Sequence, residues 1–258
     1  MVSAAIEAGR AAYQIYKGDH QVAHKADASP VTAADHAAEA IILQRLKAVE
    51  PAVPIIAEEE VAAGRVPAIG REFFLVDPLD GTREFIAGRD EWTVNIALVR
   101  DAVPVLGVVY APASGEMFAG DVAAAQAFSA AVARGSDSPG ARRAIHVRPV
   151  PAAGLTAVAS RSHSSPETRA YLARYSVADM VSIGSSLKFC LVASARADLY
   201  PRLGTTMEWD TAAGHAVLAA AGGSIVTGEG AALLYGKPGF KNPWFVASGP
   251  TVPLPVAQ

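Results

Sequence analysis

Phe73-Phe74-Leu75-Val76-Asp77-Pro78-Leu79-Asp80-Gly81-Thr82 is the stretch on which the reading of this chain turns. Its four leading apolar residues read as a buried strand. Two carboxylates follow, three positions apart, where that strand has to stop. Pro78 has a fixed φ and no N–H to give to a ladder, and Gly81 permits a tight turn. Asp77 and Asp80 are therefore expected to project from a strand end into one crevice. Like charges held that close are unfavourable unless a cation lies between them. A hard divalent ion such as Mg²⁺, which takes oxygen ligands, meets that need.

Other acidic positions compete for the same crevice. Val53–Ala57 reads as a short strand that runs into Glu58-Glu59-Glu60, either a solvated turn or a repeat of the carboxylate-at-strand-end pattern. Asp210 precedes an apolar segment, where it reads as an N-cap, a ligand, or both. Thr32 and Asp35 have capping-box spacing at the start of another helix. Oxygen donors without a Cys/His cluster favour Mg²⁺ or Mn²⁺ over structural zinc. Two or three such ions would clamp a phosphoryl group and activate a water, so the chemistry expected is phosphate ester hydrolysis without a covalent intermediate. Gly81 and Thr82 would offer backbone N–H groups to the phosphate.

Other phosphate-binding patterns fail. Gly236-Lys237 is followed by Pro238, which rules out a Walker motif, and no G-x-G-x-x-G follows a strand. Ser160-Arg161-Ser162-His163 is a polar turn or a cationic strand end. Gly184-Ser185-Ser186-Leu187-Lys188 opens a helix that is either simply capped or holds a second anion.

Outward from this centre, helices are expected over residues 2–17 and Ala33–Val49, the first ending at Gly18 and the second at Pro51. Asp19–Pro30 and Gly64–Gly70 read as loops. Trp92–Val99, Val103–Tyr110 and Glu116–Ala119 read as strands, so residues 72–128 form an antiparallel region. Ala130–Arg143 reads as a surface loop or domain junction. Beyond it, strands at Leu155–Ser160, Val181–Ile183, Asp198–Tyr200, Ser224–Val226 and Trp244–Ala247 alternate with helices at Pro166–Tyr175, Ser185–Ala195 and Ala212–Ala221. That alternation is the mark of an α/β half. The division expected is an N-terminal half, 1–143, and a C-terminal half, 144–258, in one compact unit with the site between them.

The 258 residues are 51% hydrophobic and 18% charged, which suits a packed globular protein. A net charge of −3 and a pI near 6.1 leave no electrostatic footprint for nucleic acid or an anionic membrane. The single cysteine, Cys190, lies among apolar neighbours and reads as a buried small hydrophobe. Met1–Arg10 carries Glu7 and Arg10 without the pattern of a signal peptide. Ala212–Gly223 is apolar but too short to span a bilayer. A cytoplasmic location is expected.

Two motifs carry a family resemblance. Asp77-Pro78-Leu79-Asp80-Gly81-Thr82 resembles the D-P-(I/L)-D-G-T motif of the inositol monophosphatase superfamily, and Trp209-Asp210-Thr211-Ala212-Ala213-Gly214 its second signature. Asp27–Asp35, Thr82–Ile86, Ser160–His163, Gly184–Cys190 and Leu199–Arg202 are similar to segments of the CysQ-type 3′(2′),5′-bisphosphate nucleotidase branch. The resemblance spans nearly the whole chain. It implies a layered αβαβα sandwich and a Mg²⁺-dependent, lithium-sensitive phosphatase. The substrate implied is adenosine 3′,5′-bisphosphate, and often its sulfated form, with AMP as product and sulfur assimilation as one setting. By matched motif, Glu58, Asp77, Asp80 and Asp210 would bind metal through side chains and Leu79 through its carbonyl; Glu59 is the alternative to Glu58. Asp35 and Thr82 would hold the attacking water, and Gly81 and Thr82 the phosphate. His163, Ser185, Lys188 and Arg202 would contact the nucleotide. An inositol- or fructose-phosphate phosphatase is the nearest alternative, and a non-catalytic protein that binds phosphorylated ligands the alternative of another class. Monomer and homodimer are both compatible with the sequence.

Overall fold

Apolar residues along the opening stretch alternate between two cores. Phe73 and Leu75 face one, Phe74 and Val76 the other. The same period of two runs through the flanking strands, so a single sheet separates the cores. The structure, a computed structural model, describes residues 1–18, 22–24, 30–160, 165–250 and 253–256.

The N-terminal part holds α1 (Val2–Tyr16), the paired β1 (Val22–His24) and β2 (Pro30–Thr32), α2 (Ala33–Val49), β3 (Ile55–Ala57), α3 (Glu58–Ala62), β4 (Glu72–Asp80) and α4 (Thr82–Ile86). β5 (Thr93–Arg100), β6 (Val103–Ala111), β7 (Glu116–Asp121), β8 (Gln126–Ala131) and β9 (Arg143–Ala144) follow. Strands β3 to β9 form a seven-stranded sheet in sequence order, antiparallel except where β3 runs parallel to β4. The C-terminal part holds β10 (Leu155–Ser160), α5 (Pro166–Leu172), β11 (Val177–Ile183), α6 (Leu187–Ala193), β12 (Leu199–Arg202), α7 (Glu208–Ala220), β13 (Ser224–Thr227) and β14 (Phe245–Ser248). Its five-stranded sheet has the order β11-β10-β12-β14-β13.

The layers follow from which faces are apolar. Helices α1 and α2 pack on each other and on β4, β5 and β6. On the opposite face α7 lies across β4 to β7 and packs on α6, and α6 in turn packs on the second sheet. Helix α5 covers that sheet from outside. This is the αβαβα sandwich, with α6 and α7 as its middle layer. Contact between α7 and the first sheet is close enough to exclude side chains. A Cβ on Gly107 would stand 2.4 Å from the Ala213 carbonyl oxygen, and one on Gly120 would stand 2.7 Å from the Val217 Cα. The buried helix thus rests directly on the sheet.

Several boundaries differ from the sequence expectation. Helix α7 begins at Glu208, before the expected Ala212, and Asp210 caps it from inside its first turn: its Oδ2 accepts the Met207 N–H at 2.8 Å. Part of the expected 130–143 loop is strand, because β8 continues to Ala131 and pairs with β9 at Arg143 and Ala144. Strand β11 runs from Val177 rather than Val181, since parallel pairing with β10 outweighs its exposed side chains. Helix α6 starts at Leu187 rather than Ser185, because Ser185 adopts a left-handed φ of 52° that no helix accommodates.

Candidate active site

Strand β4 delivers both carboxylates of the opening motif, and its irregularity aims them. Asp77 pairs with Asn95 and Asp80 with Thr93, so one extra residue is accommodated around Pro78 and Leu79. In a regular strand two residues three apart face opposite sides. The bulge removes that inversion. Asp77 continues the Phe73–Leu75 face, which is the face covered by α6 and α7, and Asp80 joins it. Asp77 is buried, and its Oδ1 accepts the Leu79 N–H at 2.9 Å. The Leu79 carbonyl accepts from the Thr82 hydroxyl at 3.3 Å. Gly81, at a left-handed φ of 95°, turns the chain into α4, and a Cβ there would stand 3.1 Å from the Glu91 carbonyl oxygen and 3.3 Å from the Trp92 Cα.

The C-terminal signature meets this loop through a hydroxyl. Ser186 Oγ lies 2.9 Å from Asp80 Oδ2 and 2.7 Å from the Asp210 carbonyl oxygen, and accepts from Asn95 Nδ2 at 2.8 Å. Its single proton serves one of the two acceptors at a time. Asn95 Nδ2 also stands 3.4 Å from Asp80 Oδ2. Both carboxylates are half-buried. Burial raises the Asp80 pKa against the opposing pull of Lys188. Burial, then the charges of Asp80 and Glu58, pushes Asp210 well above the usual carboxylate range. Glu58 therefore lies within electrostatic reach of Asp210.

The cations are placed unequally. Lys188 is buried; its Nζ donates to the Ser185 carbonyl at 2.5 Å and stands 5.6 Å above the Tyr200 ring. Burial lowers its pKa to about 8, although Asp80 pulls it upward. Arg202 is half-buried and donates from Nη2 to the Thr205 carbonyl. Ser185 is buried, with its Oγ accepting from the Leu187 N–H at 3.4 Å.

Asp35 forms the capping box that its spacing suggested. Its Oδ2 accepts the N–H of Thr32 at 2.8 Å and the hydroxyl at 2.7 Å. His163 and the Asp27–Ser29 part of the N-terminal segment lie outside the described residues. Glu58 and Glu59 separate clearly. Glu59 is buried and its N–H donates to Glu39 Oε2 at 2.8 Å, while Glu58 is half-buried. The solvated-turn reading of the three glutamates does not hold, because they form the first turn of α3.

Asn95, Ser186 and Glu39 were not expected as site residues. Asn95 is a lone amide inside an apolar strand, and that alone was a usable signal. Ser186 belongs to the Gly184–Lys188 stretch, next to Ser185. Glu39 is a buried carboxylate raised to about 7 by burial, with the glutamates of α3 adding to the effect.

Among the described residues no three Asp, Glu, His or Cys side chains are gathered closely enough to hold an ion. Asp77, Asp80 and Asp210 each direct one oxygen to a protein donor instead. The donor set still fits a hard cation. It is all oxygen, it is half-buried, and three carboxylates, Asp80, Asp210 and Glu58, are set against two cations, Lys188 and Arg202.

Known proteins match almost the whole of this chain. A family profile described as the inositol monophosphatase family matches residues 1–246. The 3′(2′),5′-bisphosphate nucleotidase CysQ of Escherichia coli strain K12 is 45% identical over 245 residues, 93% of this chain and 95% of that protein. The protein of the same name from Salmonella typhimurium is 44% identical over 241 residues, 92% of this chain and 94% of its own. The crystal structure of CysQ from Bacteroides thetaiotaomicron, a bacterial member of the inositol monophosphatase family, superposes with a TM-score of 0.81 at 37% identity, covering 97% of this chain and 96% of that one. This chain belongs to the inositol monophosphatase family.

Proposed function

We propose that this protein is a 3′(2′),5′-bisphosphate nucleotidase that removes the 3′-phosphate of adenosine 3′,5′-bisphosphate, giving AMP and inorganic phosphate. The observation that carries this reading is the joining of both family signatures through Ser186, which bridges Asp80 and the Asp210 backbone. The identity to CysQ nucleotidases over almost the whole chain supports this choice of substrate. Metal dependence goes with the family, and Mg²⁺ is the ion proposed, with Mn²⁺ as a substitute.

Glu58, Asp77, Asp80 and Asp210 would hold the ions by carboxylate oxygens and Leu79 by its carbonyl. Bound there, two or three ions would offset the phosphate charge and lower the pKa of the attacking water. Asp35 would orient that water and take its proton, with its Oδ2 already fixed by Thr32. The Thr82 hydroxyl would turn from the Leu79 carbonyl to help hold the water. The amides of Gly81 and Thr82 would face the phosphate oxygens, a role for which the left-handed φ of Gly81 prepares the loop. Arg202, with Lys188 and Ser185 beneath it, would supply positive charge and donors for the 5′-phosphate, and His163 would complete the nucleotide contacts.

The test is phosphate release from adenosine 3′,5′-bisphosphate, its sulfated form and inositol-1-phosphate, with Mg²⁺, in the presence and absence of Li⁺. The bisphosphate nucleotide is expected to lead in kcat/KM by tenfold or more, about 1.4 kcal/mol of transition-state binding. Li⁺ is expected to inhibit. A tenfold preference for the inositol ester would overturn the reading.

A further inference from the structure

Away from the crevice, a cleft of about 310 Å³ opens between α1 and the turns that follow β6 and β8. Arg10, Tyr13, Tyr110 and Arg134 supply its functional groups. None of the crevice residues lines it.

Its charge is one-sided. Arg134 places its guanidinium carbon 4.6 Å from the centre of the Tyr13 ring and has no carboxylate partner among the described residues. Lys17 Nζ stands 5.4 Å from the same ring. Arg10 is engaged by Asp137 at 2.5 Å, but the Asp137 side chain is 84% exposed. An ion pair that open to water is weak and readily exchanged. Tyr110 is buried, and its hydroxyl makes no hydrogen bond to the described residues. Arg10, Arg134 and Tyr110 line the same cleft, and both guanidinium groups lie within electrostatic range of the phenol.

Two forked donors and a phenolic O–H call for an anion with several oxygens. Guanidinium groups match phosphate and carboxylate geometry in pairs of hydrogen bonds. A carboxylate has two oxygens and satisfies one fork. A phosphate monoester has three terminal oxygens and can meet both forks and the phenol. We propose that this cleft binds the phosphate group of a small phosphorylated ligand, as a site separate from the catalytic crevice. The Tyr13 ring is 5.7 Å from Tyr16, and Tyr16 is 5.1 Å from Phe85 and 5.6 Å from Trp92. Phe85 lies in α4, the helix that opens at Thr82 directly after Gly81, so an occupant would sit at the far end of a row of rings that reaches the phosphate loop.

The experiment is equilibrium binding of inorganic phosphate and of AMP to the full chain in excess EDTA. The proteins compared are the wild type, Asp77→Asn, Arg10→Ala, Arg134→Ala and the double arginine variant, with acetate as a carboxylate control. One saturable site is expected in the wild type and in Asp77→Asn, weakened tenfold or more by each arginine substitution. Tighter binding of AMP assigns the site to a phosphate ester and tighter binding of inorganic phosphate to the free ion; either ranking upholds it. Thermal melts of the arginine variants establish that they are folded. Absence of saturable binding, equal binding by the folded double variant, or acetate binding as tightly as phosphate would overturn it.

Discussion

The hydroxyl of Ser186 stands 2.9 Å from Oδ2 of Asp80, across 106 residues of sequence. It fixes a carboxylate of the first sheet against the start of α6. A hydrogen bond to a charged group contributes on the order of 1.5–3 kcal/mol. Ser186→Ala removes that bond and leaves Asp80 the backbone N–H of residue 186 and the long contact from Asn95. The expected outcome is a rise of tenfold or more in the Mg²⁺ concentration needed for half-maximal turnover, with a melting temperature close to that of the wild type. A titration of activity against Mg²⁺ checks it; an unchanged midpoint removes Ser186 from the positioning of Asp80.

Asp77→Asn separates charge from shape. The amide oxygen can still accept the Leu79 N–H, so the loop should keep its form. Turnover is expected to fall by several orders of magnitude while the melting curve barely moves. Near-normal kcat in this variant would exclude Asp77 as a ligand.

Arg202→Ala tests the reading of the second phosphate. For adenosine 3′,5′-bisphosphate, kcat/KM should drop about tenfold or more, as loss of a charge-assisted contact to phosphate implies. For a substrate with one phosphate the change should stay within about twofold. Equal losses on both would assign Arg202 to the fold rather than to the nucleotide.

Gly107→Ala probes the seat of α7. The added methyl would meet the Ala213 carbonyl oxygen at 2.4 Å and the Ala216 Cβ at 2.7 Å. Overpacking of this kind destabilises by about 1–3 kcal/mol. Denaturant unfolding should show that loss, and the displaced helix should carry Asp210 with it and weaken the Mg²⁺ response. A variant as stable as the wild type would mean that α7 has slack against the sheet.

Acid stability has a defined contributor in His215. The ring is buried, with Nδ1 3.0 Å from the Tyr235 hydroxyl, and burial lowers its pKa from 6.5 to about 4. The folded state therefore holds it neutral, while the unfolded chain takes up a proton below pH 6.5. Stability from this residue is fully present above 6.5 and is lost as pH falls toward 4, in total on the order of 3 kcal/mol. Denaturant midpoints measured between pH 7 and 4.5 should fall less steeply for His215→Gln than for the wild type. Parallel slopes would show that the imidazole is not responsible.

Legibility followed how local each cause was. Asp77-Pro78-Leu79-Asp80-Gly81-Thr82 contains its own turn, so a strand end bearing carboxylates could be read without a partner. The Thr32–Asp35 capping box is likewise a matter of four neighbouring residues, and it formed as its spacing suggested. Helix α7 began early because an acid at its third position caps as well as one at the boundary. Strand β11 was half missed because its apolar content is low and its reason to be extended lies in β10.

The residues of this chain alone determined the chemistry on offer: an oxygen-donor set, two signature motifs, and apolar periods of two and of 3.6 that sort into sheet and helix. Those properties belong to near neighbours in the chain, which is why they are visible there. Only the tertiary structure decided that Asp77 and Asp80 share one face, because that depends on the register of β4 against β5. It also separated Glu58 from Glu59, placed Lys188 beneath the crevice facing Asp80, and brought Ser186 and Asn95 between the two signatures. Each of these rests on a meeting of distant segments, where burial and direction are set by packing and not by adjacent residues.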